Sequence, residues 1–159
     1  MKPFLALLAA LCLALPLQAE VVREAPTFNW TDSTGSAKPL KNLRGQPVVL
    51  VIANSPRQWA FRSQVGQLQK IYERFAAEKL LCVAAFSSEQ DIIRSNIPFL
   101  TVPEGPSTAA AYEVPEGFAI AVIGADGNLD CFSTRVLPAQ RIFDIIQNSY
   151  TKQKQIRRD

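Results

Sequence analysis

Six consecutive apolar residues, Val48-Val49-Leu50-Val51-Ile52-Ala53, stand between Pro47 and a Ser55-Pro56 signal for a change of structure. No polar residue alternates among them, so a strand built here has to be covered on both faces. Such a strand belongs in the middle of a sheet with helices on either side. The following segment supplies the first helix: Ser55-Pro56-Arg57-Gln58 puts a hydroxyl at the N-cap, proline at the first helical position and glutamine where it can complete a capping box. Phe61, Val65, Leu68, Tyr72 and Phe75 then recur at spacings of four, three, four and three, one apolar stripe facing the sheet. Gln64, Gln67, Lys70, Glu73 and Arg74 take the solvated side.

The rest of the chain continues this alternation. Leu80 to Phe86 reads as a second buried strand, and Ser87 with Gln90 repeats the capping signal before a short helix around Asp91 to Ser95. Pro98 to Pro106 is loop-rich, Ser107 to Tyr112 gives one or two helical turns, and Phe118 to Ile123 is a third apolar strand. Gly124-Ala125-Asp126-Gly127 turns the chain into Leu129 to Thr134, a hairpin signalled by Asp-Gly. Pro138 opens a closing helix with Ile142, Ile145, Ile146 and Tyr150 toward the core. Upstream, Ala25 to Trp30 reads as a short strand entering a turn at Asp32-Ser33-Thr34-Gly35. Two βα units followed by a hairpin and a helix imply an α/β fold with a mixed central β-sheet flanked by helices on both faces.

The chain has 159 residues, enough for one core and too few for two typical domains. Residues 1–19 differ from the rest. Lys2 gives a positive start, Phe4 to Leu15 is an almost unbroken apolar run, and Pro16 to Ala19 ends on a small residue, as in a secretory signal. The run is too short for a spanning helix, which needs roughly 20 residues. The expectation is export, with a periplasmic or extracellular protein after cleavage near Ala19; retention of the segment as an anchor is the alternative. Cys12 follows Leu11, not the small residue of a lipoprotein signal. The domain then covers 20–150, and 151–159 is a polar tail carrying Lys152, Lys154, Arg157 and Arg158.

Charge and composition exclude several functions. Without Lys2 there are sixteen basic and fourteen acidic residues, a balance too even to imply nucleic acid. The chain has no histidine, so no mechanism can use imidazole as base, acid or metal ligand. No phosphate loop, nucleotide fingerprint, zinc spacing or serine nucleophile elbow occurs. No cofactor and no metal are expected. The tail is either solvated or makes peripheral contact with an anionic membrane surface.

Ala25-Pro26-Thr27-Phe28, Asp32, Gly35, Leu40, Leu43-Arg44-Gly45 and Val48-Val49-Leu50-Val51 together resemble the opening of peroxiredoxins and thiol-disulfide reductases of the thioredoxin superfamily. Pro98-Phe99-Leu100, Pro103-Glu104-Gly105, Ala111-Tyr112-Glu113-Val114 and Ile123 to Gly127 follow the later course of the same group, so the resemblance spans nearly all of the chain after the signal. More narrowly, the 53–64 loop, Gly117-Phe118, 124–127 and the basic tail are similar to a small family of exported bacterial thioredoxin-like proteins of unknown function. The resemblance implies a thioredoxin-like fold whose Cys-x-x-Cys positions fall on Gln58 and Phe61. It places a peroxidatic cysteine near Phe61 as well, and the cis-proline opposite that loop on Phe118.

None of these three residues can exchange a disulfide. A thiol at a helix N-terminus attacks as a thiolate of lowered pKa, and Gln58 has no such capacity. Cys82 lies inside an apolar strand and reads as a small buried hydrophobe. Cys131 follows the hairpin on a strand with partial exposure, which makes it the alternative thiol. In the superfamily's strand order, second-first-third-fourth, the two are about 14 Å apart, beyond the reach of about 7 Å for a disulfide. The expectation is two free thiols.

What remains is a helix end with Ser55, Arg57, Gln58, Trp59, Phe61 and Arg62 around it and Phe118 opposite, a place for an anionic or peptide ligand. The plain alternative is a capped helix with surface side chains. The chain is therefore expected to be a non-catalytic binding or interaction module, with an atypical thiol oxidoreductase using Cys131 or an intermolecular thiol as the alternative.

Overall fold

The computed structural model describes residues 23–149. Residues 1–22, with Cys12 and Ala19 of the expected signal, and residues 150–159, with Tyr150 and the expected polar tail from Thr151 to Asp159, lie outside the described residues. The elements run β1 (Asn29–Thr31), β2 (Ala37–Pro39), a 3-10 turn (Leu40–Leu43), β3 (Val48–Ala53), α1 (Trp59–Ile71), a second 3-10 stretch (Tyr72–Glu78) and β4 (Leu81–Phe86). They continue with β5 (Leu100–Thr101), α2 (Gly105–Ala111), β6 (Ala119–Ile123), β7 (Leu129–Ser133) and α3 (Ala139–Gln147).

All six residues of β3 are buried, as their unbroken apolar character requires. One sheet runs in the order β2-β1-β5-β4-β3-β6-β7. β3 pairs parallel with β4 and antiparallel with β6, and β7 closes the edge antiparallel to β6. Within this sheet the order β4-β3-β6-β7 is the second-first-third-fourth arrangement expected from the sequence. Alternate residues of the strands divide the interior. Val49, Val51, Ala53, Ala84, Phe86, Ile120 and Val122 pack under α1 and α3, against Phe61, Leu68, Phe75, Ile142 and Ile146. Val48, Leu50, Ile52, Val83, Ala85, Ala119 and Ala121 face α2 and the N-terminal segment, against Phe28, Leu43, Ala109 and Tyr112. The sheet is thus mixed and carries helices on both faces.

Five local readings are corrected. Ser55-Pro56 does not open the helix: Gln58 is the N-cap, without a side-chain cap, and α1 starts at Trp59. The Gln58 amide instead donates to the Ser55 carbonyl at 3.2 Å, with Pro56 at the second position of this turn, where its fixed φ is preset. The helix expected at 91–95 is absent, because the groups that would cap it have long-range partners. Ser87 Oγ donates to Asn54 Oδ1 at 3.0 Å, and Gln90 Nε2 donates to the carbonyls of Val102 and Pro103. The strand read at 25–30 is displaced to 29–31 and pairs with β2 across a turn in which Asp32 Oδ1 accepts from Thr34 and Ser36. The 98–106 stretch contains β5, which joins β4 to β1.

Gln64 is the fifth, and it departs furthest from a solvated role. Its side chain is fully buried, donating from Nε2 to the Leu137 carbonyl at 3.0 Å and accepting the Leu137 amide on Oε1 at 2.8 Å. A buried amide is tolerated because both ends are satisfied by backbone of the segment entering α3. Gln67 Oε1 likewise accepts the Ala139 amide at 3.0 Å, so two glutamines of α1 hold the start of α3.

Candidate functional site

The site forms where β3 ends and the chain turns into α1. Asn54, the first polar residue after the apolar run, ties three loops together. Its amide donates to Gln58 Oε1 at 2.8 Å, and its Oδ1 accepts from Ser87 Oγ at 3.0 Å and from the Gly117 amide at 2.9 Å. Its carbonyl accepts the amides of Ser88 and Glu89. The loop after β3, the segment after β4 and the turn before β6 thereby share one anchor. Gly117 takes φ +107°, a backbone state that suits only glycine, and so delivers its N–H to Asn54.

The expected site residues do not all meet. Gln58 turns its side chain back toward Asn54, so its acceptor is used within the loop. Phe61 is buried, edge-on to Phe86 at 5.1 Å and tilted against Phe99 at 6.0 Å between ring centres. Phe118 is buried in the same cluster, and no peptide bond among the described residues is cis. Trp59, by contrast, is 74% exposed at the first turn of α1. Ser55 Oγ accepts the Arg57 amide at 3.3 Å.

Arg57, expected from the sequence as a ligand contact, is already paired within the protein while its side chain stays exposed. Its Nη2 and Nε both donate to Asp91 Oδ2, at 2.6 and 3.1 Å. Asp91 also accepts the Ile92 amide at 2.7 Å; this bond first, and Arg57 second, hold its carboxyl below the ordinary range. The pair fastens the irregular segment after β4 to the loop before α1. Between that segment and the helix lies an open groove of about 740 Å³, with Phe61 and Val65 at its base, Arg62 and Gly66 on α1, and Ile92 and Arg94 across from them. Arg57, Phe61 and Arg62 therefore share the groove, whereas Gln58, Trp59 and Phe118 do not line it.

Sequence reasoning missed Asn54, Gly66, Asp91, Ile92 and Arg94. Asn54 had a signal, its place as the first polar residue at the carboxyl end of a central strand, where α/β sheets place ligands. The others depend on the fold, since Asp91 reaches Arg57 across 34 positions of sequence.

Neither thiol is placed for chemistry at this end of the sheet. Cys82 and Cys131 are both free. They lie in one register row, Cys82 opposite Val49, Val49 opposite Val122, and Val122 opposite Cys131. Three strand spacings put them about 14 Å apart. The row is four residues from Ala53, roughly 13 Å along the strand from the start of the site. Burial pushes the Cys82 thiol up to about 12. Burial also raises Cys131, Arg141 opposing and the neighbouring Asp130 charge adding to the shift.

A parallel βαβ unit joined to a ββα unit in this strand order, with the first helix rising from the end of the central strand, is the thioredoxin-like fold. Solved structures agree at this level. The fold matches a candidate protein disulfide isomerase from Bacteroides thetaiotaomicron with a TM-score of 0.62 at 15% identity, covering 82% of this chain and 92% of that one. A peroxidoxin from Mycobacterium tuberculosis matches with a TM-score of 0.58 at 15% identity, over 77% and 90%. A candidate thiol:disulfide interchange protein from Chlorobium tepidum matches with a TM-score of 0.57 at 17% identity, over 85% and 94%. No protein-family model matches the chain, and no curated protein matches it in sequence.

Proposed function

We propose that this chain is an exported thioredoxin-fold protein that has given up thiol exchange and binds a protein, peptide or small anionic ligand on the face of the former active site. The observation that carries this reading is the state of the two thiol positions. Gln58 is engaged within its own loop and Phe61 is buried between aromatic rings. A side chain that attacks a disulfide must be exposed and ionisable, and neither is. The raised thiols of Cys82 and Cys131 support the same reading, since the thiolate is the nucleophile. Export rests on the Lys2, Phe4 to Leu15 and Ala19 pattern. No helix among the described residues is long and apolar enough to cross a membrane.

Dithiol-driven insulin reduction and peroxide consumption test the reading. The chain is expected to show neither above the protein-free rate. Turnover that disappears in Cys131→Ser would replace it with a one-thiol oxidoreductase.

A further inference from the structure

We propose that the groove between α1 and the segment after β4 receives a peptide stretch of another protein in which carboxylate side chains alternate with apolar ones; this deepens, and rests on, the binding role above. Charge is the first ground. Three guanidinium groups, Arg57, Arg62 and Arg94, line the groove against the single carboxylate Asp91. Asp91 is taken by Arg57 at contact distance and feels the Arg94 charge only through space, while neither Arg62 nor Arg94 makes a contact ion pair among the described residues. Guanidinium forks match carboxylates in shape as well as charge, so two are left to receive them.

Exposed apolar surface sits beside this charge. Ile92 is 80% exposed at the groove, and Trp59 lies three residues before Arg62, hence on the neighbouring helix surface. Trp59 and Ile92 are two of the three large hydrophobic residues left exposed among the described residues. An inorganic anion would satisfy the arginines and leave both side chains wet. A flat bilayer would not enter a recess. A peptide covers both kinds of surface, and the groove has the size of known ligand sites.

Gly66 supplies an independent ground. It is an interior residue of α1 and lines the groove, yet a Cβ added there would meet nothing within 4 Å, and its φ is not in the left-handed region. Glycine weakens a helix interior, and here neither packing nor backbone geometry requires it. The open space over its backbone is of use to a molecule that comes from outside.

The test uses the full chain and two labelled, end-blocked peptides, Glu-Leu-Glu-Leu-Glu-Leu and its glutamine-for-glutamate counterpart, titrated by fluorescence anisotropy. The glutamate peptide is expected to bind about tenfold more tightly, a preference that salt weakens and that Arg62→Gln with Arg94→Gln removes. Gly66→Leu should fold, melt no lower than the parent and lose about tenfold in affinity by filling the groove. Equal binding of the two peptides, a preference that survives the double substitution, or affinity untouched by Gly66→Leu overturns the proposal. So does sedimentation with phosphatidylglycerol vesicles that depends on the same arginines, which would give them to a membrane. Insulin turnover by the same preparation would instead overturn the non-catalytic role, whereas a redox-silent preparation with no glutamate preference defeats the peptide alone.

Discussion

Gln58 Oε1 accepts the backbone amide of Asn54 at 2.8 Å, closing the loop between β3 and α1 where the sequence resemblance expects an attacking thiol. The helix end is therefore stabilised from within the loop. Asn54 in turn holds Ser87 and Gly117, so the same few atoms set the relative placement of three loops at the site.

Removing that anchor should be costly. Asn54→Ala leaves the Gly117 amide and the Ser87 hydroxyl without their shared acceptor, and a partly buried donor without a partner costs about 1–3 kcal/mol. Urea denaturation is expected to show this loss, with the amide resonances of Gly117 and Ser87 shifting most. Unchanged stability would mean that the three loops are held by other contacts.

Gln64 makes a sharper case. Replacement by leucine keeps the volume of a fully buried side chain but strips both backbone groups of Leu137 of their partners. The expected loss is about 2–4 kcal/mol, against the gain that burying a more apolar residue would otherwise bring. Faster amide exchange at Leu137 and Ala139 should accompany it.

These two residues also mark where the sequence is legible and where it is not. β3 and α1 follow from local patterns, an unbroken apolar run and a helical stripe, and local patterns survive folding. The family resemblance, followed along the same elements, puts the expected Cys-x-x-Cys and cis-proline positions on Gln58, Phe61 and Phe118. Gln64 could not be placed correctly, because polarity assigns it to solvent and only the backbone at Leu137, 73 positions away, explains its burial. The helix read at 91–95 failed for the same reason. Its capping groups are claimed by Asn54, Val102 and Pro103, and Asp91 by Arg57. The arginine groove is thus a product of long-range pairing that no local window contains.

Gly66 gives a prediction on stability that is separate from binding. Gly66→Ala adds a methyl group to open space and removes an interior helix glycine, so it should stabilise the protein by about 0.5–1 kcal/mol. Thermal melting reads this directly. A lowered melting temperature would show that the position is constrained by the fold itself.

Asp130 should govern part of the pH dependence. Burial first, and the nearby Asp126 charge second, raise its carboxyl from 3.8 to about 6, and its Oδ2 is buried with no hydrogen-bond partner. Between those two values the folded protein binds more protons than the unfolded chain, so stability declines as pH rises from about 4 to about 6 and is level above. Asp130→Asn should flatten that decline and stabilise the protein at neutral pH by roughly 1 kcal/mol, allowing for solvent screening of a half-exposed group. Denaturation midpoints of the two proteins across this range check the sign. A parent protein that gains stability over the same interval would refute it.

The central claim, that the fold has been kept while its thiol chemistry has gone, is tested most directly by alkylation with iodoacetamide followed by mass-resolved peptide mapping, which reports each cysteine separately as pH is varied. Cys82 should react only when the protein unfolds, and Cys131 should react slowly, with an apparent pKa above the ordinary thiol range. Rapid modification of either residue at neutral pH, with an apparent pKa below about 8, would show an activated thiolate and contradict the account.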